Sequence, residues 1–315
     1  MHPTFSIVLF TTAAGAGFGL LFLLGLGVPV GLLPADPLFG LAGLGTALVF
    51  AAGGLVSSVF HLGRPERAWR AFSQWRSSWL SREGVLSVAT AIPALIFGIG
   101  WVFFGAVSGF VGLCGLIAAA LAAATIYCTG MIYASLKPIH QWRNRWTVPN
   151  YLALALMEGF LLLHLIVRFW VIWPLGTAIL TVIAVALAWA VKETYWRFID
   201  TTSAVSDVAS ATALGRGGRV SMLEPPHTQA NYLLREMGFR IARKHRRRLR
   251  LVARIAAFAL PGALTLAALV VAGWVGALLA GLAVASAALG LVVERWLFFA
   301  EARHTVTLYY GADAA

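Results

Sequence analysis

The sequence predicts an all-α integral membrane protein, a bundle of eight transmembrane helices. Three observations carry that expectation. Of its 315 residues, 60% are hydrophobic and 11% charged, with a mean hydropathy of +0.83; an ordinary soluble domain carries about 25% charge. The apolar residues fall in eight continuous runs, each close to the roughly 20 residues that cross a bilayer. With eight crossings, nearly every basic residue falls on one side.

In chain order the runs cover 4–28, 38–61, 84–106, 108–132, 150–170, 172–191, 251–272 and 274–298, separated by Pro, Gly or charge clusters. All are far longer than strands, and the alternation of an outer-membrane barrel is absent. No Lys or Arg precedes the first run, only His2. Without the basic n-region of a secretory signal, and longer than a usual signal core, that run reads as the first helix. Within it, Gly15 and Gly19 form a GxxxG pair, the small-residue pattern of a close helix contact. Spans of this number use about half the chain and leave no room for a large soluble domain. The expectation is a single transmembrane domain, 1–315, with loops 62–83, 133–149 and 192–250 on the side of both termini. The short joints near 29–37, 107, 171 and 273 lie opposite.

The net charge is +12, and its placement matters more than its size. On this topology 23 of the 24 Lys and Arg lie on the terminus side, leaving Arg168 alone opposite. By the positive-inside rule the termini and the three loops are cytoplasmic, in a bacterial inner membrane. Loop 192–250 holds Gly215, Gly217, Gly218 and Pro225-Pro226, then turns helix-like from Asn231. Its basic run, Arg243 to Arg250, reads as an orientation determinant bound to anionic lipid, with a docking surface for an acidic partner as the second reading. No fold is left over to read nucleic acid. Cys114 and Cys128 lie in one run, about 21 Å apart along a helix. They can neither pair within it nor supply the roughly four ligands of an iron–sulfur cluster, and read as small core residues.

Ionisable groups at membrane depth are costly and are functional candidates by default. His61 closes the second run, followed by Gly63 and Arg64; Glu83 opens the third, after Trp79 and Arg82. Both sit at the cytoplasmic edge of neighbouring helices. An imidazole there can hydrogen-bond a quinone carbonyl and change protonation near neutral pH, and a carboxylate can orient it or pass protons; a pair of interfacial caps is the plainer alternative. Between them Trp69, Phe72, Trp75 and Trp79 recur at spacings of three or four, which predicts an amphipathic helix in the head-group plane with Arg67 and Arg70 turned away. In the fifth run Glu158 is near mid-membrane, either a buried structural group or part of a proton route, while His164 and Arg168 lie toward the opposite face. His61 and His164 do not pair as axial haem ligands, because they differ in depth by roughly 21 Å. No haem or metal site is expected, although a haem held by His164 and another ligand stays as an alternative reading. A transporter, with Glu158, His164 and Arg168 lining a path, is the alternative of a different class; the unbroken runs and the clean basic side argue against it.

Four segments, HLGRPERAWRAFSQWRSSWLSREG (61–84), MIYASLKPIHQW (131–142), RWTVPNYL (145–152) and PPHTQANYLLREMGFRIARKH (225–245), resemble the membrane anchor subunits of dimethyl sulfoxide reductase and its relatives, the DmsC family of complex iron–sulfur molybdoenzymes. The resemblance covers essentially the whole chain. It implies an anchor without a molybdenum or cluster of its own. Such an anchor binds ubiquinone or menaquinone and passes electrons between the quinone pool and an iron–sulfur subunit wired to a molybdopterin catalytic subunit. The family's quinol-linked His corresponds to His61 and its acidic partner to Glu83. The expected quinone site is therefore His61, Gly63, Arg64, Trp69, Trp79, Arg82 and Glu83, with His61 and Glu83 catalytic. In the name-giving reductase the catalytic pair faces the periplasm on this side of the anchor, whereas here the same side is the basic one. That favours relatives with a cytoplasmic catalytic pair, notably sulfite dehydrogenases reducing quinone, over a quinol-oxidising anchor of a dimethyl sulfoxide or related reductase.

Overall fold

The computed structural model describes residues 4–60, 64–171, 174–203, 206–214, 220, 223–224 and 241–310. Among them eight helices are long and apolar enough to cross a membrane: α1 Phe5–Gly27, α2 Pro37–Val59, α3 Trp79–Phe104, α4 Gly109–Ala134, α5 Thr147–Val167, α6 Leu175–Thr201, α7 His245–Leu269 and α8 Gly273–Ala300. The all-α class and the number of spans are as the sequence predicts. Helix α1 is the centre of the bundle and packs on α2, α4 and α5, with Phe18, Leu20, Leu21 and Leu24 in the core.

The GxxxG pair is the α1–α5 contact. At Gly19 the two backbones meet so closely that an added Cβ would overlap the Ala155 carbonyl, and a Cβ on Gly159 would stand 2.5 Å from the Gly19 carbonyl carbon. Gly15, one turn earlier, makes room for the Glu158 carboxylate, whose Oε2 would lie 3.0 Å from a Cβ there. Gly19→Ala is therefore expected to force α1 and α5 apart and lower stability by about 1–3 kcal/mol, the usual cost of overpacking. Gly45→Ala, on α2 with open space around it, should leave the melting temperature unchanged or raise it. Thermal unfolding in detergent checks both, and equal melting temperatures for the two variants would refute the contact.

Three helix ends differ from expectation, and the causes are chemical. Helix α3 begins at Trp79 rather than 84, because Ser78 caps it by accepting the Ser81 N–H. Helix α6 continues to Thr201 rather than 191: Lys192 is fully buried against Glu294, and Glu193 is paired with Arg254 at 2.5 Å. Helix α7 already crosses from His245 rather than 251, where Arg250 forks onto Glu301 at 2.8 and 2.9 Å and reaches Asp200 at 2.6 Å. Charges that read as loop are neutralised in pairs inside the bundle, so polarity there does not mark a helix end. The stretch expected as loop over 192–250 is thus helical at both ends, through Thr201 and from Ile241. A π-helical segment, Arg254–Ala259, interrupts α7; Ser286 of α8 donates to the Ala256 carbonyl there.

The predicted amphipathic helix over Trp69–Trp79 is also corrected. A 3-10 helix covers Pro65–Phe72 and turns follow through Ser77. Ser73 and Ser77 bond back to the Arg70 and Gln74 carbonyls, the side-chain competition that makes serine a poor interior helix residue.

One face of the bundle is closed by the segment between α4 and α5. The Trp142 indole donates to Phe298 O at 2.9 Å, Tyr195 donates to Gln141 O at 3.0 Å, and Thr305 N–H reaches Pro138 O at 3.0 Å. His140, meeting Thr202 Oγ1 at 2.9 Å, is held below the ordinary histidine range by burial. At the other end Trp170 and the Phe39 N–H both donate to Asp36, the cap of α2, and hold its carboxyl below the usual carboxylate range. There Arg168 donates to Ala268 O at 3.0 Å and to Val271 O, tying off the end of α7, and His164 Nδ1 meets Thr177 Oγ1 at 3.1 Å.

Candidate functional site

Apart from His164 and Arg168 at the far end and Arg250 with Glu301, the acidic and basic side chains buried among the described residues fall into two groups. The first lies between α3 and α4. Glu83, in the second turn of α3, is buried, and its Oε1 accepts a short hydrogen bond from Thr129 of α4. Thr129 also donates to its own helix at Thr125 O, so one hydroxyl is shared between a carboxylate and a carbonyl. Arg82, the preceding residue, turns instead to the aromatic loop. Its guanidinium lies 4.2 Å from the Trp79 ring and donates to Trp75 O at 3.0 Å and Arg76 O at 2.7 Å. Trp79 in turn packs edge-on against Tyr127 of α4, and Phe72 lies over Gly84, where a Cβ would approach it to 3.3 Å. The aromatic loop is thus strapped to the first turns of α3.

The second group joins α5, α6 and α8. Lys192 bonds Glu294, both fully buried, and lies over the rings of Tyr195 and Trp196 at 4.2 and 5.0 Å. Arg295 is equally buried, with its guanidinium 3.9 Å from the Tyr151 ring. Its Nη1 stands 3.6 Å from Glu294 Oε2, too far for a hydrogen bond. Tyr151 Oη, Arg295 Nη1 and Glu294 Oε2 are all buried without a partner in hydrogen-bond geometry among the described residues. Two cations thus share the single carboxylate Glu294, and the next acidic group within electrostatic reach of Arg295 is Glu158.

A small cavity of about 10 Å³ lies between the two groups, lined by Thr129, Tyr151, Glu158 and Arg295 together with Gly15 and Phe18 of α1. Such a volume is that of about one water molecule.

Of the site residues expected from sequence, the structure brings Trp79 and Arg82 into contact in the first turn of α3, while Glu83 beside them turns to Thr129 of α4. Arg64, the cap of the 3-10 helix, and Trp69 are exposed on the loop. His61 and Gly63 lie outside the described residues. Thr129, Tyr151, Lys192, Glu294 and Arg295 were not singled out in the sequence. A hydroxyl and a phenol in apolar runs give no signal of their own, and the three charges lay where helix ends were expected. Cys114 and Cys128 are buried and unbridged, as read.

An all-α bundle with buried charges in two groups, and a loop strapped to the helix that carries one of them, has the layout of a polytopic membrane subunit. The chain belongs to the DMSO reductase anchor subunit (DmsC) family, which it matches over residues 1–311. It is 33% identical, over an alignment of 346 residues covering 100% of both chains, to a subunit of the sulfite dehydrogenase of Allochromatium vinosum. No solved structure matches. The protein is therefore a multi-pass membrane protein and the anchor subunit of an oxidoreductase complex.

Proposed function

We propose that this anchor is the quinone-reactive subunit of a cytoplasm-facing sulfite:quinone oxidoreductase, receiving electrons from an iron–sulfur subunit that is wired to a molybdopterin catalytic subunit. The single observation that carries the reading is Glu83: a buried carboxylate in the second turn of α3, held by Thr129, beside an Arg82–Trp79 pair that straps the aromatic loop to the same helix end. Family membership and the name of the Allochromatium relative support the choice of partners and donor. The basic residues along 62–83 and 192–250 support the inner membrane and a cytoplasmic face for termini and partners.

The residues fit a quinone as substrate. His61, on the sequence reading, supplies a donor to one carbonyl oxygen, and Glu83 supplies a proton from a site that burial keeps free of bulk water. Arg82 fixes the loop that closes the site, and the exposed Trp69 and Trp75 sit at the depth where indoles anchor a loop to lipid head groups. Reduction of a quinone takes two electrons and two protons. Oxidation of sulfite with water releases the same number of each, so the two half-reactions balance within one compartment.

The reaction is therefore expected to be electroneutral, since moving one charge against 100 mV would cost about 2.3 kcal/mol. The test is to co-express and purify the anchor with its partners, assay quinone content and sulfite-dependent quinone reduction, and reconstitute the complex in proteoliposomes. Co-purified quinone and turnover without a membrane potential are expected. A complex that turns over sulfite with dyes but never with quinones would refute the function, and a potential built up during turnover would refute electroneutrality.

A further inference from the structure

The proposed quinone site has a supply problem. Glu83 is buried, the loop over it is strapped down, and the docked partner subunits would cover the same face. Two protons must reach the site for each quinone reduced, and Glu83 carries one.

We propose that the cavity between α1, α4, α5 and α8 holds a water molecule linking Glu83, through the Thr129 hydroxyl, to Glu158, which thereby serves as the second proton store of the site. Thr129 is on both sides of the link: it donates to Glu83 and its side lines the cavity. The cavity is polar where it needs to be. Tyr151 Oη and Arg295 Nη1 are buried polar atoms without hydrogen-bond partners among the described residues, and both residues line it. A water there would meet the two to four polar groups that such sites require, and buried polar groups in native proteins are rarely left unmet. Glu158 reaches the cavity because Gly15 has no side chain.

The transfer balances. Glu83 gives its proton to the substrate oxygen and takes the Thr129 hydroxyl proton; the hydroxyl takes one from the water, and the water takes one from the Glu158 carboxyl. The net step moves one proton from Glu158 to Glu83 and leaves a carboxylate at Glu158. That charge faces Arg295, which otherwise shares Glu294 with Lys192, so the carboxylate restores the balance of two cations and two anions. The groups that bear on Glu158 are Arg295 and Glu294 of α8 and Tyr151 of its own helix; α1 offers Thr11 and Gly15, neither titratable. Glu158 refills by the reverse route when the site reopens to the basic face.

The path does not continue outward. Beyond Glu158 the core is filled by Leu20, Leu24, Leu161 and Leu163, and Arg168 is engaged at the far end. Glu158 also borders an apolar groove of about 210 Å³ lined by Leu9, Phe50 and Leu162, which offers no other acidic or basic group to carry a proton.

The inference rests on the quinone reading, and the test separates the two. In the assembled complex, redox-induced infrared difference spectra are recorded for wild type, Glu158→Gln, Thr129→Val and Thr129→Ser, alongside quinone reduction normalised to dye-linked turnover of the same preparation. Expected are a carboxyl C=O band that changes on turnover and is lost in Glu158→Gln, and a water O–H band that shifts in H2-18O. Normalised quinone reduction should fall by about a hundredfold in Thr129→Val and recover in Thr129→Ser. Should Glu158→Gln fail to assemble, the Val and Ser pair at Thr129 carries the test alone. Glu83→Gln is the comparator: if it abolishes quinone reduction while Thr129→Val keeps the wild-type rate, the proton store is refuted and the quinone site stands. If Glu83→Gln is itself without effect, the quinone reading fails.

Discussion

Glu83→Gln is expected to lower quinone-coupled turnover by a factor of about 10² to 10⁴, the range general acid–base catalysis contributes, while leaving the complex assembled. The substitution is chosen for what it keeps. A glutamine fills the same space, and its carbonyl oxygen accepts the Thr129 hydroxyl as Oε1 does now, so the α3–α4 contact and the Arg82 strap survive. What it loses is the proton. His61→Ala is expected to match it in size, since the donor to the opposite carbonyl oxygen is gone. Assembly is followed by co-purification of the partner subunits, and turnover with a soluble quinone analogue is compared with dye reduction. Wild-type rates with quinone in either variant would remove that residue from the mechanism. A loss of the partner subunits in Glu83→Gln would mean that the carboxylate holds the fold instead.

How much of this was legible beforehand depended on whether the signal was local. Glu83 and its neighbours Trp79 and Arg82 stand within five residues of one another, in a segment whose wording already resembles the anchor family. The structure pairs Trp79 with Arg82 and buries Glu83 beside them against Thr129. The spans were legible because hydropathy is a property of composition, which packing does not alter. The helix ends failed where composition misleads. Lys192 looks like the first residue of a cytoplasmic loop, yet its partner Glu294 is 102 residues away, and nothing local says that the two meet. For the same reason Arg250, Arg254 and Arg295, counted as basic-side charges, are paired or buried within helices; they sit on that side of the bundle but face protein. The Trp69–Trp79 stretch was misread because a spacing of three or four fits an amphipathic α-helix and does not register two serines that bond back to the chain.

Breaking the buried pair should cost the most stability of any single change. Lys192 and Glu294 are fully enclosed, so the attraction between them is unscreened and the loss of either leaves a charge with no water to turn to. Removal of one partner of such a pair typically costs about 3–5 kcal/mol. Glu294→Gln should be the worse of the two, because it strands Lys192 and Arg295 together, two cations left with the weaker fields of Glu301 on one and Glu158 on the other. Lys192→Met leaves Glu294 near Arg295, and a shift of Arg295 Nη1 by a few tenths of an ångström from its present 3.6 Å would close that hydrogen bond. The double variant Lys192→Met/Glu294→Gln removes one charge of each sign and should recover most of the loss, because replacing a buried pair outright is often nearly neutral. Arg246→Ala provides the scale: its contact with Asp200 is also 3.6 Å, but both side chains are more than a third exposed, and exposed pairs are worth about 0–1 kcal/mol. Thermal unfolding of the purified complex across these variants decides the order. If Glu294→Gln melts with Arg246→Ala, or the double variant is no better than the singles, the buried cluster does not hold α6 to α8 and its charges serve another purpose.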